Sequence, residues 1–191
     1  MSAHDRAPSV SGDRVSVSVF VDAPPAIAFE VFTAQVDQWW RHGLKFRAGG
    51  SRRSVFHLEP CLGGRLFEEI EPDEPDPRAR PSVVQTGTVV AWDPPHALEI
   101  EWRAVNFAPH EKTLVAVRFE PRAAGTHVTL VHSGFASLPP DHPVRHGQPV
   151  DVFVRRMAMW WADQMASLRM RVADRDGSTD SAANVGSGLK A

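Results

Sequence analysis

Few residues of this 191-residue chain are able to do chemistry: nine histidines, one cysteine and scattered carboxylates lie among six tryptophans and ten phenylalanines, with no tyrosine. The aromatic surface is thus almost without hydroxyls, and a pocket built from it would be mainly apolar. His132 shares a face with Val128 and Leu130 if the segment HVTLVHS is a strand, which points it inward at the strand's end. There it is able to orient a ligand or shuttle a proton, although a histidine simply hydrogen-bonded into the structure is the plainer expectation. Glu68 shares a face with Leu66 and Ile70, and a buried carboxylate at that position would need a partner such as His132. The other register exposes Glu68 and buries Phe67, and exposure is expected because glutamate is rarely buried.

The remaining reactive side chains exclude more than they suggest. His142 and His146 are four apart but lie among prolines and not on a helix, so no metal site is expected. Cys61 precedes LGG without a basic cluster beside it, which favours a buried, inert thiol over a nucleophile. There is no Gly-rich phosphate loop after a strand and no nucleophile elbow, so nucleotide chemistry has no support and no cofactor is expected.

These side chains must be positioned by a chain of ordinary globular composition, 42% hydrophobic and 23% charged, long enough for one domain. A formal net charge of −2 with mixed signs provides no field for a nucleic-acid backbone or an anionic membrane. A single cysteine permits no internal disulfide, the N-terminus lacks the apolar core of a secretory signal, and no apolar run approaches the roughly 18 residues of a membrane helix, so the cytoplasm is the expected location. Residues 1–12 and 174–191 are polar and small and read as loose tails around a domain spanning 13–173.

Within that span RVSVSVFV alternates valine with serine, the period-2 pattern of a half-buried strand. Asp22, Pro24 and Pro25 then start one or two short helices, in which Ile27, Ala28, Val31 and Phe32 recur at helical spacing before QVDQWW. Six further strands are read in SVFHLE, GGRLFEEIE, VVQTGTVVAWD, ALEIEWRAV, TLVAVRFEP and THVTLVHSGF. The short connections DPPH and PRAAG predict antiparallel neighbours, while the proline-rich residues 71–82 read as a long solvated loop. After the irregular ASLPPDHPVRHGQP, a long helix is predicted over 150–173, with Val154, Met157, Ala158, Trp161, Met165, Leu168 and Val172 as its apolar stripe. The expected fold class is α+β, an antiparallel sheet of about seven strands wrapped around a long C-terminal helix, with two short helices after the first strand.

This order, with several local motifs, resembles the SRPBCC (START-like) superfamily and, within it, the activator of Hsp90 ATPase homologue 1-like domains. The resemblance covers about residues 14–172 and rests on VSVFVDAPPAIAFEVFT followed by Trp39 and Trp40, Gly63 to Arg65, GTVVAWDPPHALEIEW, GTHVTLVHSGF and the helix pattern from Trp161 to Met165 and Leu168. The family's glycine-tryptophan pair on the final helix reads here as Trp160-Trp161, a substitution that bears on the volume of any cavity. The resemblance implies a helix-grip fold in which sheet and final helix enclose an apolar cavity. Members include lipid carriers, hormone receptors, polyketide cyclases and Hsp90 co-chaperones, among which fold alone does not choose.

The candidate lining of such a cavity is Trp40, Trp102, Phe153, Met157 and Trp160, with Glu68 and His132 as its polar members; plain core packing is the alternative for each. A small apolar or aromatic molecule is the expected partner. A cyclase or dehydratase using Glu68 or His132 as acid or base is the catalytic alternative, and regulation of a chaperone ATPase is a third. A homodimer is left open, with Trp39 as an exposed contact.

Overall fold

The computed structural model describes residues 9–11, 13–72 and 80–185. Its strands are β1 (Ser9–Ser11), β2 (Arg14–Val21), β3 (Ser54–Leu58), β4 (Arg65–Ile70), β5 (Ser82–Asp93), β6 (Ala97–Trp102), β7 (Thr113–Arg122) and β8 (Gly125–Ser133). All pair antiparallel in one sheet of order β1-β2-β8-β7-β6-β5-β4-β3, so the chain meanders from β3 to β8 and β2 closes on the free side of β8. The seven expected strands are all present, with the turns after Asp93 and Arg122 joining antiparallel neighbours. The three-residue β1 is an addition, drawn from a segment expected to be tail. Of the expected 71–82 loop, residues 73–79 lie outside the described residues, as do 1–8, 12 and 186–191 of the two expected tails.

The sequence pattern of each element explains its burial. In β2, Val15, Val17, Val19 and Val21 are buried while the alternate residues are not, as period-2 valines require when one face of a sheet is covered. The cover is formed by α1 (Pro25–Thr33), started at Pro24 and Pro25, the one-turn α2 (Val36–Trp39) and the long α3 (Val150–Val185). Helix α3 buries Val154, Ala158, Trp161, Met165, Leu168 and Val172 at three- and four-residue spacing, with Met157 half-buried at the margin. Its backbone stays helical to Val185, beyond the end of the stripe and of the span expected from it. The proline-rich crossover before it has no element longer than the single 3-10 turns Phe135–Ser137 and Pro143–Arg145.

The sheet is bent where β5 carries two extra residues. Register shifts opposite Leu66/Phe67 and between Val89 and Ala91 leave Thr86 and Val90 without partners in their ladders, and such bulges increase twist and bend the strand. Gly87 stands at the first bend because a Cβ there would come within 2.5 Å of Ile100 Cγ2.

Two surface expectations are corrected. Trp39 is buried between Phe32 and Trp40 and its indole N–H donates to the Phe32 carbonyl at 3.1 Å, so it presents no dimer contact. Cys61 is exposed and not buried, because it sits in the tight β3–β4 turn beyond the reach of the core.

Residues 41–53, between α2 and β3, close one end of the grip and are held from inside by Arg47. This guanidinium, with a side chain 1% exposed, donates to Asp37 Oδ1 at 2.8 Å and to the carbonyls of Trp40 (2.9 Å), Asp37 (3.3 Å) and Arg41 (3.3 Å). Asp37 Oδ1 also accepts the edge-facing N–H of Phe56 at 2.8 Å, so one carboxylate neutralises the cation and caps strand β3. Removing one partner of such a pair leaves a buried charge uncompensated. Asp37 is itself 35% exposed, so Asp37→Asn is expected to lower unfolding free energy by about 1.5 to 3 kcal/mol in urea titration, as for loss of a hydrogen bond to a charged group, whereas Glu71→Gln, which breaks only the exposed 3.7 Å pair with Arg53, is expected to change it by less than about 0.5 kcal/mol.

Candidate functional site

The space between the curled sheet and α3 is occupied by aromatic rings. Trp40 stacks on Phe56 at 4.6 Å and on Trp102 at 5.9 Å, and meets Trp160 and Trp161 edge-on at 5.7 and 5.9 Å. Trp102 contacts Trp161 at 5.9 Å, and Trp160 and Trp161 meet at 4.8 Å. Offset and edge-to-face contacts of this kind add to the stabilisation from apolar burial. Trp161 therefore fills volume between sheet and helix, while Trp160, in the place of the family's glycine, stands half-buried at the margin. Trp40 and Trp102, expected as pocket lining, are mainly packing for one another.

His132 lies against this cluster and is buried. An indole N–H can only donate, so the 3.0 Å contact from Trp161 Nε1 makes His132 Nδ1 an acceptor and places the proton on Nε2. Nε2 then donates to Thr113 Oγ1 at 2.8 Å, and the Thr113 hydroxyl is left to donate to the Trp102 carbonyl at 3.4 Å. Both ring nitrogens are thereby committed to protein partners. Burial pushes the imidazole pKa down from 6.5 to about 3, because desolvation penalises its charged form.

Glu68 is fully buried, contrary to the expected exposure, and half-buried Phe67 lies on the opposite face of β4. Its partner is backbone and not His132: Oε2 accepts the Ala48 N–H at 2.6 Å and Oε1 the Gly49 N–H at 3.2 Å. The register that buries Glu68 also buries Leu66 and Ile70, and the two N–H groups of the covering segment compensate the carboxylate. Gly49 allows this approach, since a Cβ there would stand 3.1 Å from Glu68 Oε1 and 3.2 Å from Ile70 Cγ2.

An open cleft of about 350 Å³ remains at the end of the grip, outside the filled interior. Its apolar lining is Leu44 from the 41–53 segment, Val144 from the crossover, and Phe153, Met157 and Trp160 from α3; Lys45, His146 and Arg156 complete it. Of the expected site residues, Phe153, Met157 and Trp160 come together here, while Trp40, Glu68, Trp102 and His132 are placed in the interior. Trp160 is fixed by its indole N–H, which donates to the Lys45 carbonyl at 2.8 Å. Leu44 is 86% exposed at the rim. The sequence reading missed Leu44, Lys45, Val144, His146 and Arg156; only Arg156 carried a signal, standing one helical turn from Trp160.

The cleft brings no carboxylate together with a base. His142, on the other side of the crossover, donates from Nε2 to Glu111 at 2.9 Å and accepts the Val144 N–H at Nδ1, tying the crossover to the β6–β7 loop. Among the described residues no group of three or more His, Cys, Asp and Glu side chains is placed to hold a metal ion. No described helix is long and apolar enough to cross a membrane.

The His132 environment has a pH consequence. Its folded pKa lies below its unfolded value, so the unfolded chain takes up the proton first and stability is lost as pH falls from about 6.5 towards 3, being whole at neutral pH. Over the two units from pH 6.5 to 4.5 this amounts to on the order of 2 to 3 kcal/mol. In His132→Gln the loss of stability between pH 7 and 4.5, measured by urea titration at each pH, is expected to be smaller than in the parent by that amount.

A family model described as Activator of Hsp90 ATPase homolog 1-like protein matches residues 22–168. No curated protein matches the chain in sequence. Among solved structures, a Mesorhizobium loti protein superposes with a TM-score of 0.54 at 20% identity, covering 85% of this chain and 97% of its own. A Rhodobacter sphaeroides protein gives 0.56 at 18% identity over 87% and 97%. A Plasmodium falciparum protein described as an HSP90 activator gives 0.56 at 14% identity over 85% and 97%. Identities this low speak for the fold alone. The family match spans most of the chain and coincides with the curled sheet and long final helix, and the protein belongs to the activator of Hsp90 ATPase homolog 1-like family within the SRPBCC fold.

Proposed function

We propose that this protein binds a small apolar or aromatic molecule in the cleft between α3, the 41–53 segment and the crossover. The observation that carries this reading is the convergence of Leu44, Val144, Phe153, Met157 and Trp160 on a volume of about 350 Å³, at the small end of the range typical of ligand sites. Adaptable Met157 and an indole held by its own hydrogen bond form a wall that accepts flat or branched apolar groups. The cyclase or dehydratase reading draws less support, since Glu68 and His132 are both committed to protein partners away from the cleft. The family description and the P. falciparum neighbour support a further reading, regulation of a chaperone ATPase. An increase in the turnover of a purified Hsp90 on addition of this protein would favour that reading.

Native mass spectrometry of purified protein is expected to show a retained small molecule, or else a thermal shift with aromatic or acyl compounds. Met157→Trp, which fills the cleft, is expected to weaken that binding at least tenfold. Met159→Trp, two residues on and 68% exposed, is expected to leave it unchanged. Equal binding by the two variants would remove the cleft from consideration.

A further inference from the structure

From the charge around the same cleft, and resting on the binding reading above, we infer that its ligand is a small organic acid: an aromatic or acyl body on the apolar wall, with its anionic group held by Arg156. Three of the lining residues, Lys45, His146 and Arg156, carry cationic or N–H donor groups, and none is acidic. The nearest carboxylate in their ion pairs is Asp163, which Lys45 engages at 2.9 Å and Arg41 at 3.7 Å. That one negative charge is shared between two cations. Arg156 has no ion-pair partner among the described residues, although its helix neighbour Arg155 reaches Asp151 at 3.5 Å.

Helix α3 sets Arg156 among the residues of the apolar wall. Arg156 follows Phe153 by three residues and precedes Trp160 by four, so the three side chains share one face of α3. A planar guanidinium offers a fork that matches a carboxylate through two parallel N–H bonds. Across the opening, His146 sits at the end of the Pro143–Arg145 turn with a left-handed backbone, φ 50°, and adds a second donor. A neutral ligand would leave these groups solvated and gain only the apolar contacts. An acid gains a charge-assisted bond from a residue that has no ion-pair partner to give up among the described residues.

Two fluorescent probes with the same body separate the anionic preference from apolar binding: anilinonaphthalene sulfonate, and N-phenylnaphthylamine, which lacks the sulfonate. In low-salt titrations of the full chain the sulfonate is expected to bind at least fivefold tighter than the neutral amine. Arg156→Gln, an exposed position that should not perturb folding, is expected to abolish most of that preference while leaving the amine's affinity within about twofold. Met157→Trp should weaken both probes. If the parent binds both probes equally, the acid preference is overturned while apolar binding stands. If Arg156→Gln weakens both alike, or leaves the preference intact, the assignment to Arg156 is overturned. If neither probe binds, or both bind Met157→Trp as well as the parent, the cleft reading falls with it.

Discussion

The 3.0 Å hydrogen bond from the Trp161 indole to His132 Nδ1 couples the apolar stripe of α3 to the concave face of the sheet. A buried indole N–H has to find an acceptor, and an imidazole presenting one bare nitrogen satisfies it only at one rotation of the helix. With that rotation set, Val154, Ala158, Met165 and Leu168 face the sheet, and Trp160 is turned towards the 41–53 segment. The same bond fixes the His132 tautomer and so the run of donors through Thr113 to the Trp102 carbonyl. A residue type associated with proton transfer is here used to orient a helix.

The other indoles of the cluster extend the same constraint into the covering segment. Trp40 donates to the Phe46 carbonyl at 3.0 Å and Trp160 to the Lys45 carbonyl at 2.8 Å. Arg47 and the Glu68 carboxylate hold this backbone, through the Asp37, Trp40 and Arg41 carbonyls and the Ala48 and Gly49 N–H groups respectively. A stretch with no regular secondary structure is thereby ordered, its polar backbone satisfied by side chains in place of a ladder. The filled interior and the outer cleft are two aspects of this arrangement: the rings that occupy the grip also hold Lys45, next to Leu44, at the mouth.

The cleft differs chemically from the interior behind it. Inside, the aromatic rings carry their few polar groups in closed pairs, with no donor offered to a guest by His132 or Glu68. At the mouth, apolar surface is left uncovered beside cationic groups whose counter-charge is partial.

The strands, the first helices and the long amphipathic helix were legible in the sequence because period-2 valines and the three- and four-residue spacing on α3 are local signals set by which face must be covered. Phe153, Met157 and Trp160, large side chains at the border of that stripe, come together at the cleft outside the packed rings. The burial of Glu68 was not, since composition argues for exposure and only the arrival of the Ala48 and Gly49 N–H groups, twenty residues away, makes an interior carboxylate tolerable. The exposure of Cys61 and the burial of Trp39 likewise depended on where a turn and a one-turn helix came to rest against the core. Periodicity thus determined the elements and their faces. Only the tertiary structure decided that Trp40 and Trp102 fill the grip and that Leu44, His146 and Arg156 meet beside α3, because which distant side chains satisfy a buried N–H or share a volume is a property of the packed chain and not of any window along it.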